Sequence, residues 1–92
     1  RIDNEKVSRI ADYYGWDSQL RQLAEECSEL SVEALHYIRE GKGIERIFEE
    51  ISDVLIMIQQ IIYLIGHGYE DIEKYAEFKL DRQLRRIERE QE

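Results

Sequence analysis

Apolar residues recur along the chain with the spacing of an α-helix, and glycines separate the periodic segments. The chain has five glycines and no proline. Because helices commonly end at glycine, the segments between the glycines predict four helices. We expect them at about 4–14, from just after Asp17 or Ser18 to about 40, at 44–65, and from 69 onward. No segment alternates apolar and polar residues for long enough to predict a strand.

The predicted fold is all-α, a small helical bundle of three long helices plus a short N-terminal helix. A chain of 92 residues is long enough for one domain with a modest core, so we expect a single domain over residues 1–92. The residues expected in the core are Val7, Ile10, Ala11 and Tyr14 on the first helix, Leu20, Leu23, Cys27, Leu30, Ala34 and Ile38 on the second, and Ile47, Ile51, Val54, Leu55, Ile58, Ile61 and Ile62 on the third.

The third helix is apolar on nearly every side beyond Asp53. A helix that is hydrophobic all round is buried all round, and a chain of this size has little material to cover it. We therefore predict a homodimer or a homotetramer in which a second copy covers the remaining face. The apolar stretch from Val54 to Ile65 is shorter than the roughly 20 residues that span a bilayer, so no membrane partner is expected.

Composition narrows the functional class. The formal net charge is −8, whereas a nucleic-acid binder normally has a basic surface, so no nucleic-acid partner is expected. The single cysteine, Cys27, excludes an internal disulfide and suits a reducing compartment. Since the N-terminal residues are polar and show no signal peptide, we predict a cytoplasmic protein.

Two short acidic motifs fall on the second and third predicted helices. Residues 25–29 have the pattern E-E-x-x-E, and residues 49–53 contain E-x-x-D. Residues three apart share one face of a helix, so each motif presents two carboxylates together. Both pairs border the apolar stripes, whereas a solvated acidic run would lie opposite them. The four predicted site carboxylates are Glu26, Glu29, Glu50 and Asp53.

Four carboxylates between two antiparallel helices repel one another unless a cation lies among them. Hard divalent cations prefer oxygen ligands, so we predict that these four residues bind Mg²⁺, with Mn²⁺ as a substitute. One difficulty is geometric. If the turn between the helices is centred on Lys42, the two pairs are offset by about 6–7 Å along the bundle. Helix crossing, side-chain reach or an earlier end to the second helix would have to absorb that offset.

Other interpretations of the acidic residues remain open. Glu33 and His36 form a Glu-x-x-His, the element of di-iron bundles, but those sites need two such elements and His67 has no glutamate three residues before it. A non-catalytic, self-associating helical module would present acidic faces to a partner, although it leaves the core-edge position of the carboxylates unexplained. Glu25 and Glu49 are either solvated or help the site, as outer partners of the ligands or as a base for water.

The combination of E-E-x-x-E, a spacer of twenty residues and E-x-x-D on helices resembles the MazG-like nucleotide pyrophosphohydrolases, in the all-α nucleoside triphosphate pyrophosphatase superfamily. Residues 17–58 resemble that family's core, and residues 79–86 are similar to its basic closing segment. The resemblance implies Mg²⁺ on the four carboxylates and hydrolysis of a ribo- or deoxyribonucleoside triphosphate to the monophosphate and pyrophosphate. It also implies a dimer or tetramer. The chain departs from the family in its compactness, with a single copy of the motif.

A basic stripe on the fourth helix is the predicted phosphate-binding element. Lys79, Arg82 and Arg86 are spaced three and four residues apart, so they share one face. Arginine suits phosphate because its planar fork donates two parallel hydrogen bonds. The alternative is that these cations form surface ion pairs with the acidic helices. For Lys79, expected nearest the body of the bundle, we favour phosphate binding.

Residues just ahead of the second helix are candidates for binding the base. Trp16, Tyr13 and Tyr14 would form one wall of a cleft, and Gln19 would hydrogen-bond a base edge. The alternative is that these aromatic side chains anchor the short first helix to the core.

Overall fold

The computed structural model describes every residue from Arg1 to Glu92 and contains four α-helices and no strand. The helices are α1 (Asn4–Tyr14), α2 (Trp16–Glu40), α3 (Ile44–Ile65) and α4 (Tyr69–Gln91). The all-α bundle predicted from the periodicity is therefore confirmed. The start of α2 was predicted too late, because Gly15, at φ 83°, turns the chain directly from α1 into α2 and is itself the N-cap.

The ends of the helices follow from local hydrogen bonding. The Asp3 side chain caps α1 by accepting from the backbone amides of Glu5 and Lys6, at 2.8 and 3.2 Å. Gly41, in the left-handed conformation at φ 69°, ends α2 and donates its amide to the Tyr37 carbonyl at 2.8 Å. The short connection that follows makes α2 and α3 antiparallel neighbours.

The three-helix body consists of α1, α2 and α3. α2 packs against α3, and α1 contacts both, mainly α3. α2 and α3 keep the same register over two turns. Gln60 donates a hydrogen bond to Gln19, and Glu26 lies beside Asp53, so seven residues separate the two pairs on each helix. Two full turns of each helix therefore stay aligned, and residues of one face meet residues of the other.

The buried core of the chain is small. Three apolar residues are buried, Val7, Ala11 and Met57, together with the polar Gln19 and Gln60. The radius of gyration is 16.4 Å, against about 12 Å for a compact chain of this length. α4 contributes no buried residue and does not pack closely on the other helices. The chain is thus a three-helix body from which α4 extends.

Much of the predicted core is exposed, because α2 and α3 each carry an apolar strip that no element of the chain covers. The predicted core residues that lie exposed are Ile10 and Tyr14 on α1, Leu20, Cys27 and Ile38 on α2, which form the α2 strip, and Ile51, Leu55 and Ile58 on α3, which form the α3 strip. Ile38, at 76 %, is the most exposed of them. Helical periodicity places the strips of α2 and α3 on one side of the pair, away from α1. None of the four helices has the length and apolarity needed to cross a bilayer.

Candidate metal centre

The four predicted carboxylates meet at the seam between α2 and α3. One oxygen from each of Glu26, Glu29, Glu50 and Asp53 lies within 4.8 Å of the others. Glu26 and Glu50 are half-buried, whereas Glu29 is exposed. We call this group the carboxylate cluster. It is open to solvent on one side and rests on the helix packing on the other.

The offset expected between the two motifs is absent, because the seam is not centred on Lys42. Glu26 faces Asp53 and Glu29 faces Glu50. In each pair the two residues are equally far along the sequence from the peptide bond between Arg39 and Glu40. The last turn of α2 therefore extends past the start of α3, and the glycine connection returns the chain alongside it. α2 continues to Glu40, so it is the register of α2 against α3, and not an early end of α2, that brings the two motifs level.

Burial and mutual repulsion make two members of the cluster reluctant to ionise. The pKa of Glu50 is raised above its ordinary value by desolvation, then by the negative charges of Glu29, Asp53 and Glu26 and a hydrogen bond with Glu29. The pKa of Asp53 is raised by desolvation and by the charge of, and hydrogen bond with, Glu26. The metal-free cluster therefore tends to retain protons.

Two oxygens of the cluster lack a donor from the protein. Oε1 of Glu26 accepts a hydrogen bond from Nε2 of Gln22 at 2.7 Å, but Oε2 of Glu26 and Oε2 of Glu50 are buried without a partner. Buried oxygens of this kind normally have a donor or a cation beside them. All four side chains offer oxygen only, which fits Mg²⁺ and Mn²⁺.

The alternative di-iron motif is not completed by the fold. Glu33 and His36 lie on α2 outside the four-residue cluster, and His36 Nδ1 is buried without a partner close to Gly43. His67 lies in the turn between α3 and α4. Glu33 and His36 thus remain a single Glu-x-x-His beside an all-oxygen cluster.

The predicted phosphate-binding residues are not brought to the carboxylates within this chain. Lys79, Arg82 and Arg86 are exposed on α4, which does not pack closely on the three-helix body. The Arg82 guanidinium instead lies 5.9 Å from the centre of the Phe78 ring. The three cations would have to reach the cluster by movement of α4 or from another copy of the chain.

The residues predicted to bind a base separate into exposed and buried groups. Trp16 is 44 % exposed at the start of α2, and Tyr13 and Tyr14 contact edge to face with centroids 4.9 Å apart. Gln19 is buried and accepts a hydrogen bond from Gln60 rather than facing solvent.

Sequence reasoning missed Gln22 and Gln60. Gln22 lies four residues before Glu26, a spacing at which helical side chains meet, and this signal was present in the sequence. Gln60 was visible as a polar residue within the most apolar segment of α3. Its partner became evident only from the register of α2 against α3.

Comparison of the chain with protein-family models, with curated proteins and with solved structures returns no match. Function is therefore inferred from the residues of the chain and their arrangement.

Proposed function

We propose that the chain is a Mg²⁺-dependent nucleoside triphosphate pyrophosphohydrolase, which cleaves between the α and β phosphates to release the monophosphate and pyrophosphate. The observation that carries this proposal is the carboxylate cluster, in which four carboxylates from two helices lie within 4.8 Å. The resemblance of the two acidic motifs to the MazG-like family supplies the reaction. A nucleotide substrate and a lone free cysteine both favour the cytoplasm.

The four carboxylates would hold the metal, and three of them differ in their surroundings. Glu26 and Glu50, the half-buried members, each point an unpartnered oxygen into the protein side of the cluster. Gln22 fixes the Glu26 carboxylate through its 2.7 Å hydrogen bond. Glu29 lies on the exposed side, where a triphosphate would approach. When bound, Mg²⁺ would neutralise part of the phosphate charge and lower the pKa of a bound water.

We also propose that the chain acts as a homodimer or homotetramer. The apolar strips on α2 and α3 are uncovered, and α4 carries a further strip with no partner in the chain. Burial of such surface is the main driving force of association. In this assembly α4 packs against another copy, and the cations Lys79, Arg82 and Arg86 gain access to a triphosphate. Both the strips and the large radius of gyration support association.

A non-catalytic, self-associating module is the second candidate, because the uncovered apolar strips would serve it equally well. The two candidates differ in what the carboxylates do. In an enzyme they bind metal and activity depends on them, whereas in a module their removal only relieves repulsion.

Pyrophosphate release from ribo- and deoxyribonucleoside triphosphates, with Mg²⁺ and with EDTA, tests the proposal. Wild type should release pyrophosphate only with Mg²⁺, and Glu29→Ala should lose that activity. Glu40→Ala removes an exposed carboxylate from the same helix, outside the cluster, and is the matched control for charge. Absence of release from every triphosphate, with Glu29→Ala as stable as wild type or more so, would favour the module.

A further inference from the structure

An open cleft lies where α1 meets the α2–α3 pair, beside the carboxylate cluster. The lining residues that matter here are Ile10, Tyr14, Gln19, Ile56, Met57 and Gln60. All three helices of the body therefore contribute to it. Half of its lining residues are apolar or aromatic, and its polar groups come from Ser18 and three glutamines, of which Gln19 and Gln60 are buried.

The two glutamines are the only buried polar residues of the chain, and their hydrogen bonding is incomplete. Gln60 is 2 % exposed and Gln19 is 3 % exposed. Nε2 of Gln60 donates to Oε1 of Gln19 and lies 3.6 Å from the Met57 sulfur. Oε1 of Gln60 has no partner. A buried carbonyl without a donor is unfavourable, so this oxygen indicates an N–H or O–H donor that the chain does not supply.

The cleft and the carboxylate cluster are aligned on the same faces of α2 and α3. From Glu26 to Gln19, and from Asp53 to Gln60, the distance is seven residues, or about 10.5 Å along each helix axis. Gln22 joins the two places, because it lines the cleft and donates to Glu26. A nucleotide whose phosphates lie at the cluster would extend its sugar and base along this face toward Gln60.

We propose that this cleft binds the nucleobase of the substrate, with Oε1 of Gln60 accepting an N–H from the edge of the base. The apolar side chains of Ile56 and Met57 line the space that the faces of the ring would occupy. The ligand class is a planar nitrogen heterocycle with an edge N–H, and its identity as part of a nucleotide rests on the proposed function. The Gln19 amide positions Gln60 through their shared hydrogen bond.

Binding to the wild-type protein is tested without hydrolysis, because a nucleoside monophosphate has no phosphoanhydride bond to cleave. AMP, CMP, GMP and UMP are titrated separately in Mg²⁺, which compensates the charge of the carboxylate cluster, while the ¹⁵N side-chain amide signals of Gln60, Gln19 and Gln59 are followed by NMR. At least one monophosphate should shift the Gln60 and Gln19 signals in a saturable way and leave Gln59 unchanged. If no monophosphate moves the Gln60 signal, a buried water or another small donor partners the oxygen, and the base-binding role is overturned.

A variant series separates this inference from the proposed function. Gln60→Met keeps the length of the side chain without the acceptor, and Gln59→Met makes the same change at the adjacent position. Gln60→Met should weaken monophosphate binding about tenfold and remove any preference among triphosphates in kcat/KM, while Gln59→Met should change neither. Circular dichroism verifies folding, and the wild-type titration decides the matter if Gln60→Met is unfolded.

The two ideas can fail separately. If wild type releases no pyrophosphate but its Gln60 signal responds to a monophosphate, the cleft stands as a nucleotide site and the hydrolytic function is wrong. If wild type hydrolyses triphosphates and Gln60→Met retains the same preference among bases, the hydrolytic function stands and the cleft is not the base site.

Discussion

Removing one charge from the carboxylate cluster should stabilise the metal-free protein and abolish its response to Mg²⁺. Asp53→Asn is the best perturbation, because asparagine has nearly the same shape and its amide can donate to Glu26. Two unit charges 4.8 Å apart repel by about 1 kcal/mol at the dielectric constant of water, which applies on the side of the cluster that is open to solvent. Relief of about 1 kcal/mol raises the Tm of a domain of this size by roughly 4–8 °C.

Saturating Mg²⁺ should reverse the order of the two proteins. A ligand at one hundred times its Kd stabilises the folded state by about 2.7 kcal/mol, which exceeds the repulsion that the substitution relieves. Wild type should therefore melt below Asp53→Asn in EDTA and above it in Mg²⁺. Differential scanning fluorimetry at one fixed protein concentration measures both values.

The matched control is Glu45→Gln, which removes the same charge from an exposed position on α3 outside the cluster. It should respond to Mg²⁺ as wild type does. If Asp53→Asn lowers the metal-free Tm while remaining folded, repulsion among the four carboxylates does not destabilise the metal-free protein. If wild type and Asp53→Asn gain the same Tm from Mg²⁺, the cluster does not bind the ion through Asp53.

Four further outcomes are expected. The pKa values of Asp53 and Glu50 are raised in the folded state, so their contribution to metal-free stability is present below the unfolded values near 3.8 and 4.5 and is lost as the pH rises through the folded values. The Tm of wild type relative to Asp53→Asn should therefore fall as the pH is raised above about 4. Leu55→Glu, on the uncovered strip of α3, should shift sedimentation velocity toward the monomer, whereas the same change at the exposed residue Tyr13 should not. Asp3→Ala should cost about 1 kcal/mol, read as a lower urea midpoint, because the α1 cap is lost. The pKa of the Tyr63 phenol is raised, first by its 2.8 Å hydrogen bond to Asp12 and then by desolvation, so removing the Asp12 carboxylate should make phenolate absorbance appear at lower pH.

The helices could be predicted from the sequence because their ends are local. Each glycine between helices adopts a positive φ, and the periodic segments between the glycines are the helices observed. The membership of the carboxylate cluster was also predictable, since residues three apart share a helix face whatever the tertiary fold. The start of α2 could not be predicted from capping residues, because Gly15 provides the turn before Asp17 is reached.

The register of α2 against α3 could not be predicted from the sequence. The offset expected from a turn at Lys42 rests on the assumption that α2 ends level with the start of α3. In the structure the last turn of α2 extends beyond that start. The burial of individual apolar side chains could not be predicted from the sequence either. Periodicity identifies an apolar side chain but does not say which element covers it, so Cys27 and Ile38 were assigned to a core that this chain does not complete.

The uncovered strips and the carboxylate cluster lie on different faces of the same two helices, and this links assembly to the site. On α3 the strip residues Ile51 and Leu55 alternate with the cluster residues Glu50 and Asp53, so the rotation of one helix sets both surfaces. A second copy packed on the strips would hold α2 and α3 in register and so keep the carboxylates together against their repulsion. Loss of association in Leu55→Glu should therefore also weaken Mg²⁺ binding, although Leu55 is not a member of the cluster. Isothermal titration of Mg²⁺ into that variant measures the effect, and an unchanged Kd in a proven monomer would show that the seam between α2 and α3 keeps its register unaided.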